Sequence, residues 1–102
     1  MVKTVVLYKE PADKAAFDNY YFEKHIPLVK AVPGIVRVEI CKFTGGAGGP
    51  APYYLMAEMW FNSAAEMNAA WSSPEGRATG RDVRNFVTDP STITMAFAEI
   101  RE

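Results

Sequence analysis

The stretch IVRVEICKF (35–43) alternates residue by residue, with Val36, Val38 and Ile40 on one side and Ile35, Arg37, Glu39, Cys41 and Phe43 on the other. Only an extended strand holds such a period-two row on a single face, so the chain must build a sheet with a buried side. Pro33-Gly34 stands immediately before it and stops any preceding helix.

The neighbouring segments fit around that strand. VKTVVLYK (2–9) is β-branched and reads as a first strand. Pro11 turns the chain, and Asp13 can cap a helix from Lys14 to about Val32, in which Phe17, Tyr21, Leu28 and Val32 recur at helical spacing. TGGAGGPAP (44–52) is a glycine-rich, mobile connection to a third strand, YYLMAEMWF (53–61). Ser63 and Glu66 have capping-box spacing for a helix from Ala64 to about Trp71, and Ser73-Pro74 opens a further helical segment whose Val83, Phe86 and Val87 can pack inward. Gly76 and Gly80 weaken that segment, and TITMAFAEI (92–100) is the last strand.

The order is β-α-β-β-α-β, an α+β, ferredoxin-like plan. With 102 residues the chain has room for a single domain, 1–102. Its four-stranded antiparallel sheet should carry both helices on one face, above Val36, Val38 and Ile40. The opposite face would then hold Val6, Tyr8, Cys41, Phe43, Tyr54, Met56, Trp60, Met95 and Phe97 among Arg37, Glu39, Glu58 and Glu99. So much apolar surface calls for a partner, and a homodimer through the sheet face is expected. Glu58, on that face, should pair with Arg37 or with a partner residue, or else carry a raised pKa.

Composition excludes several functional classes. The formal net charge is −1 and the basic residues up to Lys42 are spread singly, so no surface tracks a nucleic-acid backbone. One cysteine, Cys41, offers no internal disulfide; no signal-peptide pattern or bilayer-length apolar run occurs, and a cytoplasmic protein with no membrane partner is expected. One histidine and one cysteine do not make a metal site, and the glycines at 45–49 lack the spacing of a phosphate loop. No cofactor is expected.

The single histidine carries the functional question. His25 follows Tyr21 by four residues and Phe17 by eight, on or beside the buried stripe of the first helix. Pro27 cannot donate to the carbonyl of Glu23, so the helix should kink and leave a space beside the imidazole. A histidine there can act as acid or base near neutral pH, or it can simply satisfy a backbone group at the bend.

Tyr8, Lys9, Pro11, Asp13, Phe17, Tyr20, Tyr21, His25, Pro27, Leu28, Pro33 and Gly34 together resemble the EthD family, named for ethyl tert-butyl ether degradation. The resemblance is strongest over 2–34. It implies a ferredoxin-like subunit whose sheet packs on that of a second subunit to form a dimeric α+β barrel, with pockets between helices and sheet and the family histidine at His25. Related barrels include decarboxylases, lactone methylisomerases and cofactor-free monooxygenases. The methylisomerase relative has a cysteine and a tyrosine where this chain has Met59 and Val38, which argues against that isomerase chemistry.

The expected function is therefore small-molecule catabolism or biosynthesis. One form of it is a cofactor-independent lyase, isomerase or oxygenase acting on a hydrophobic aromatic or lactone-like metabolite. His25 is the candidate catalytic residue, with Tyr21, Phe17, Val38, Leu55, Met59, Trp60 and Phe61 as candidate substrate contacts. The other form is a non-catalytic binding or accessory protein for such a compound.

Overall fold

The apolar rows come together in one antiparallel sheet. The computed structural model describes residues 1–102. Its strands are β1 (Val2–Tyr8), β2 (Arg37–Lys42), β3 (Leu55–Phe61) and β4 (Ile93–Glu99), in the spatial order β2-β3-β1-β4. A first helical layer runs through α1 (Lys14–Tyr20), a wide π turn (Tyr21–His25) and α2 (Ile26–Lys30). A second runs through α3 (Ala64–Ser72), α4 (Pro74–Asp82) and a 3-10 turn (Val83–Asn85). The ferredoxin-like β-α-β-β-α-β plan with helices on one face is the one expected.

Local chemistry sets the helix starts. The Asp13 side chain accepts from the Ala16 N–H, Ser63 from Glu66, and Ser73 from Gly76. Gly76 is needed for a second reason: a Cβ there would stand 2.1 Å from the Ala70 carbonyl oxygen, where α4 turns back on α3. A Cβ on Gly80 would meet nothing.

Strand register defines the two faces. Val38, Met59, Thr4 and Phe97 form one rung, and Ile40, Ala57, Val6 and Met95 the next. This face lies under the helices: the Tyr8 ring meets Phe17 and Tyr21, and Trp71 meets Phe61. Val6, Tyr8, Met95 and Phe97 therefore belong to the helix side, not to the outer face where alternation had put them. VKTVVLY is apolar at both parities, so its pattern could not set the phase.

The outer face carries the rungs Arg37, Trp60, Lys3, Ala98 and Glu39, Glu58, Val5, Ala96. Glu39 and Glu58 stand directly opposite, a repulsive pairing that the ion pairs Lys3–Glu58 and Arg37–Glu39 offset. Arg37 thus serves Glu39, and Lys3 takes the role expected of it at Glu58.

The barrel is corrected by the topology. The sheet is open, with β2 and β4 as unpaired edges on opposite flanks. Neither edge pairs with another strand, so the sheet is not closed and the expected dimeric α+β barrel is replaced by an open ferredoxin-like sheet.

The first helical layer also departs from a simple kink. Ile26 N–H donates to the Tyr21 carbonyl, a five-residue step, and Pro27 falls in the first turn of α2, where a missing donor costs least. The extra residue shifts the buried stripe: Phe17, Tyr21 and His25 are followed by Ile26, Val29 and Val32, with Leu28 only half-buried. Replacing Gly76 with alanine should cost about 1–3 kcal/mol through the carbonyl clash. Gly80→Ala should add about 0.5–1 kcal/mol of helix stability. Chemical denaturation of the two variants checks this, and equal midpoints would contradict the packing described.

Candidate functional site

Between the sheet and the two helical layers lies a cleft of about 610 Å³. Its floor is the inner sheet face at Val6, Ile40, Ala57 and Met59, and α2 walls it with Ile26 and Val29. Met95, on the same face of β4, lines the mouth and is 53% exposed, so the helices leave that edge uncovered. A cleft this size and this apolar, holding few polar groups, has the usual form of a small-molecule site.

His25 is the one histidine of the chain, and the fold places it in the cleft wall. It lines the cleft and is only 5% exposed. Its Nδ1 lies 2.9 Å from Asp82 Oδ2, in the last turn of α4. Asp82 Oδ1 in turn accepts from the Tyr20 hydroxyl at 2.6 Å and from Asn85 Nδ2 at 2.9 Å. No protein group bonds His25 Nε2, and no fully buried side-chain nitrogen or oxygen is left without a partner, so Nε2 keeps some exposure on a residue that lines the cleft.

The electrostatics assign the protons. Burial opposes the charge on Asp82, but hydrogen bonds from Tyr20, Asn85 and His25 outweigh it and hold the carboxyl below its ordinary range. An ionised Asp82 only accepts, so neutral His25 keeps its proton on Nδ1 and turns a lone pair on Nε2 toward the cleft. Burial depresses the His25 pKa below its ordinary value of 6.5, and the Asp82 hydrogen bond and charge offset this only in part. The imidazole is neutral at pH 7, the form a general base requires.

Aromatic packing fixes the ring. Phe86 tilts against His25 at 4.6 Å between centroids, and Tyr21 stacks on it at 5.5 Å. Tyr8 and Tyr21 both line the cleft, and burial raises both phenol pKa values, so both hydroxyls stay protonated. Trp71 lines it as well, its indole N–H donating to Thr4 Oγ1 at 2.9 Å. No group of three or more His, Cys, Asp or Glu side chains is placed to hold a metal ion.

Of the residues singled out from the sequence, the cleft brings together His25, Tyr21 and Met59. Phe17 lines a second cavity of about 590 Å³ beside the connection from β1 to α1. Leu55 and Phe61 are wholly buried in the core, and Val38 is partly buried against it. Trp60 lies on the outer face, beneath Lys3 and Arg37. Asp82 and Tyr8 were missed. Asp82 falls three residues after Thr79 and four before Phe86, and a carboxylate on that inward stripe was the available signal.

A family model described as the EthD domain matches residues 9–90, which include His25, Asp82 and the connection between them. The chain belongs to the EthD family. An uncharacterised 11.0 kDa protein in the thcB-thcC intergenic region of Rhodococcus erythropolis is 38% identical over 99 residues, 97% of this chain and 94% of that protein. The crystal structure of an EthD family protein from Bacillus halodurans superposes with a TM-score of 0.91 at 34% identity, covering 98% of each chain.

More distant structures share the EthD fold. A dimeric ferredoxin-like protein of unknown function from Jannaschia sp. matches with a TM-score of 0.75 at 12% identity, over 97% of this chain and 98% of that one. SnoaB, a cofactor-independent oxygenase from Streptomyces nogalater, matches with a TM-score of 0.70 at 15% identity, over 99% of this chain and 93% of that one. In this EthD chain no helix is long and apolar enough to cross a membrane.

Proposed function

We propose that this EthD protein is a cofactor-independent enzyme that moves a proton on a small hydrophobic aromatic or lactone-like metabolite. The observation that carries the proposal is His25, buried in the wall of an apolar cleft, held by Asp82 through Nδ1 and with no protein partner on Nε2. In this reading Nε2 takes the proton as general base, Asp82 holds the ring and steadies the imidazolium that forms, and the substrate's apolar body rests on Val6, Ala57 and Met59. A protonated tyrosine hydroxyl from Tyr8 or Tyr21 can donate to an oxygen gaining charge. Proton abstraction can open a lyase, isomerase or cofactor-free oxygenase reaction, and a cofactor-independent oxygenase is among the proteins that share the fold.

A binding protein needs only the apolar cleft, whereas an oriented neutral imidazole in its wall is what proton transfer requires. That arrangement favours the enzyme over an accessory role. The proposed setting is the cytoplasm, where the half-buried thiol of Cys41 would stay reduced.

The proposal also includes a homodimer through the outer sheet face. Its support is the half-buried row of Val5, Leu7, Met56 and Trp60 on that face, and the dimeric state of a fold relative. Sedimentation equilibrium of the purified chain should give twice the 11.3 kDa chain mass. A variant with Met56→Glu should sediment at the single-chain mass, and a wild-type protein that already does so would refute the dimer.

Turnover can be read on a panel of apolar aromatic and lactone compounds. His25→Ala should lower kcat by about 10²–10⁴-fold with the circular dichroism spectrum unchanged. For the wild type, kcat/KM should fall as pH drops through a pKa lying below 6.5, because protonation removes the base. Asp82→Asn removes the influence that raises this pKa, so the acid limb should move to still lower pH while kcat falls. Compounds that bind but are never transformed, or an acid limb that Asp82→Asn leaves in place, would defeat the catalytic reading.

A further inference from the structure

Three of the chain's five arginines, Arg77, Arg81 and Arg84, line the same cleft. They follow one another at intervals of four and three along α4 and the 3-10 turn that continues it, which puts them on a single helical stripe. The ion pairs of the molecule use Lys3, Lys14, His25, Arg37, Lys42 and Arg101, so none of the three has an acidic partner. No aspartate or glutamate lines the cleft.

Two ordinary explanations fall short. Cations near the end of a helix complement its dipole, which suits Arg81 and Arg84 but leaves Arg77, in the middle of α4, without a reason. A solvated basic face would be interspersed with acids, as at Lys14–Glu10, and like charges four apart repel when nothing neutralises them. Here a band of unopposed positive charge borders an apolar floor, in a chain whose net charge is −1. Low-dielectric walls strengthen the field such a band projects into the space beside it.

We infer that the cleft takes an amphipathic organic anion, an apolar ring or chain bearing a carboxylate, with the carboxylate read by Arg77, Arg81 and Arg84. This rests on the cleft being the substrate site as proposed above. A guanidinium presents paired N–H donors that match the two carboxylate oxygens, which a lysine at the same position would not do. The apolar body would lie on the sheet floor. The acid group would set its orientation relative to His25, so the arginines act as specificity determinants rather than catalytic residues.

The test compares 2-naphthoate with the neutral isostere 2-naphthamide by titration calorimetry at low salt. Wild-type protein should bind the carboxylate about tenfold more tightly than the amide. In a variant carrying Arg77→Gln, Arg81→Gln and Arg84→Gln the two affinities should become nearly equal, and added salt should shrink the wild-type preference. Gly80→Leu, whose side chain would project from the cleft wall into open space, should abolish binding of both compounds. Equal affinities in the wild type, with both lost in Gly80→Leu, would overturn the anion inference and leave the cleft reading standing. A preference that survives the triple substitution would also overturn the inference. No binding of either compound, or binding that Gly80→Leu leaves intact, would overturn both.

Discussion

Asp82 is the polar tie between the two helical layers: from the second it accepts hydrogen bonds from His25 and Tyr20 of the first, beside an apolar core. His25 and Asp82 are each largely buried, so removing either should cost about 1.5–3 kcal/mol, as for a hydrogen bond to a charged group, while the apolar core keeps the fold. Tyr20 and Asn85 complete the shell of Asp82, one from each layer, so the acid is held from both sides. The Phe86 ring packs on His25 beside this polar contact, and the cleft lies next to it.

The wide turn in the first helix is what delivers the histidine to this contact. A regular helix through Pro27 would lose a donor inside its span; the five-residue step instead puts the proline in a first turn and advances everything after it by one position. His25 and Ile26 can then both be buried, one in the polar contact and the other in the cleft wall, which no straight helix would allow for adjacent residues so easily. On the sheet side, Thr4 shows the same economy of polar groups. It is wholly buried, accepts from the Trp71 indole and places its hydroxyl against Met67 Sδ, so no polar atom is wasted beneath the helices.

Much of this was legible in the residues. The clean alternation placed Val38 and Ile40 on the inner face of β2, although Val36 stands just before the strand and is 48% exposed, and Ser63 and Ser73 marked their helix starts because their caps are local. The resemblance over 2–34 pointed to the right family, and the histidine it singles out, His25, lies in the cleft wall. What escaped depends on information that no single segment carries. VKTVVLY has apolar residues at both parities, so only pairing with β3 could show which row lies beneath the helices. The wide turn is a five-residue departure that a 3.6-residue period cannot reveal, and it exchanged Leu28 for Ile26 and Val29. Asp82 lies 57 residues from His25 in the chain, so their partnership emerges only when the two layers are folded together.

Proton transfer at this site depends on which imidazole nitrogen holds the proton, and because the chain has a single histidine its spectrum gives one unambiguous answer. Long-range 15N–1H correlation spectra of uniformly 15N-labelled protein, recorded at a pH well above the His25 pKa, report the tautomer from the two ring nitrogen shifts. The geometry predicts the Nδ1–H form, with a bare Nε2 whose shift moves when a small apolar ligand enters the cleft. A dominant Nε2–H form would mean that Asp82 does not accept from this ring and that no lone pair faces the cleft, and the general-base reading would fail.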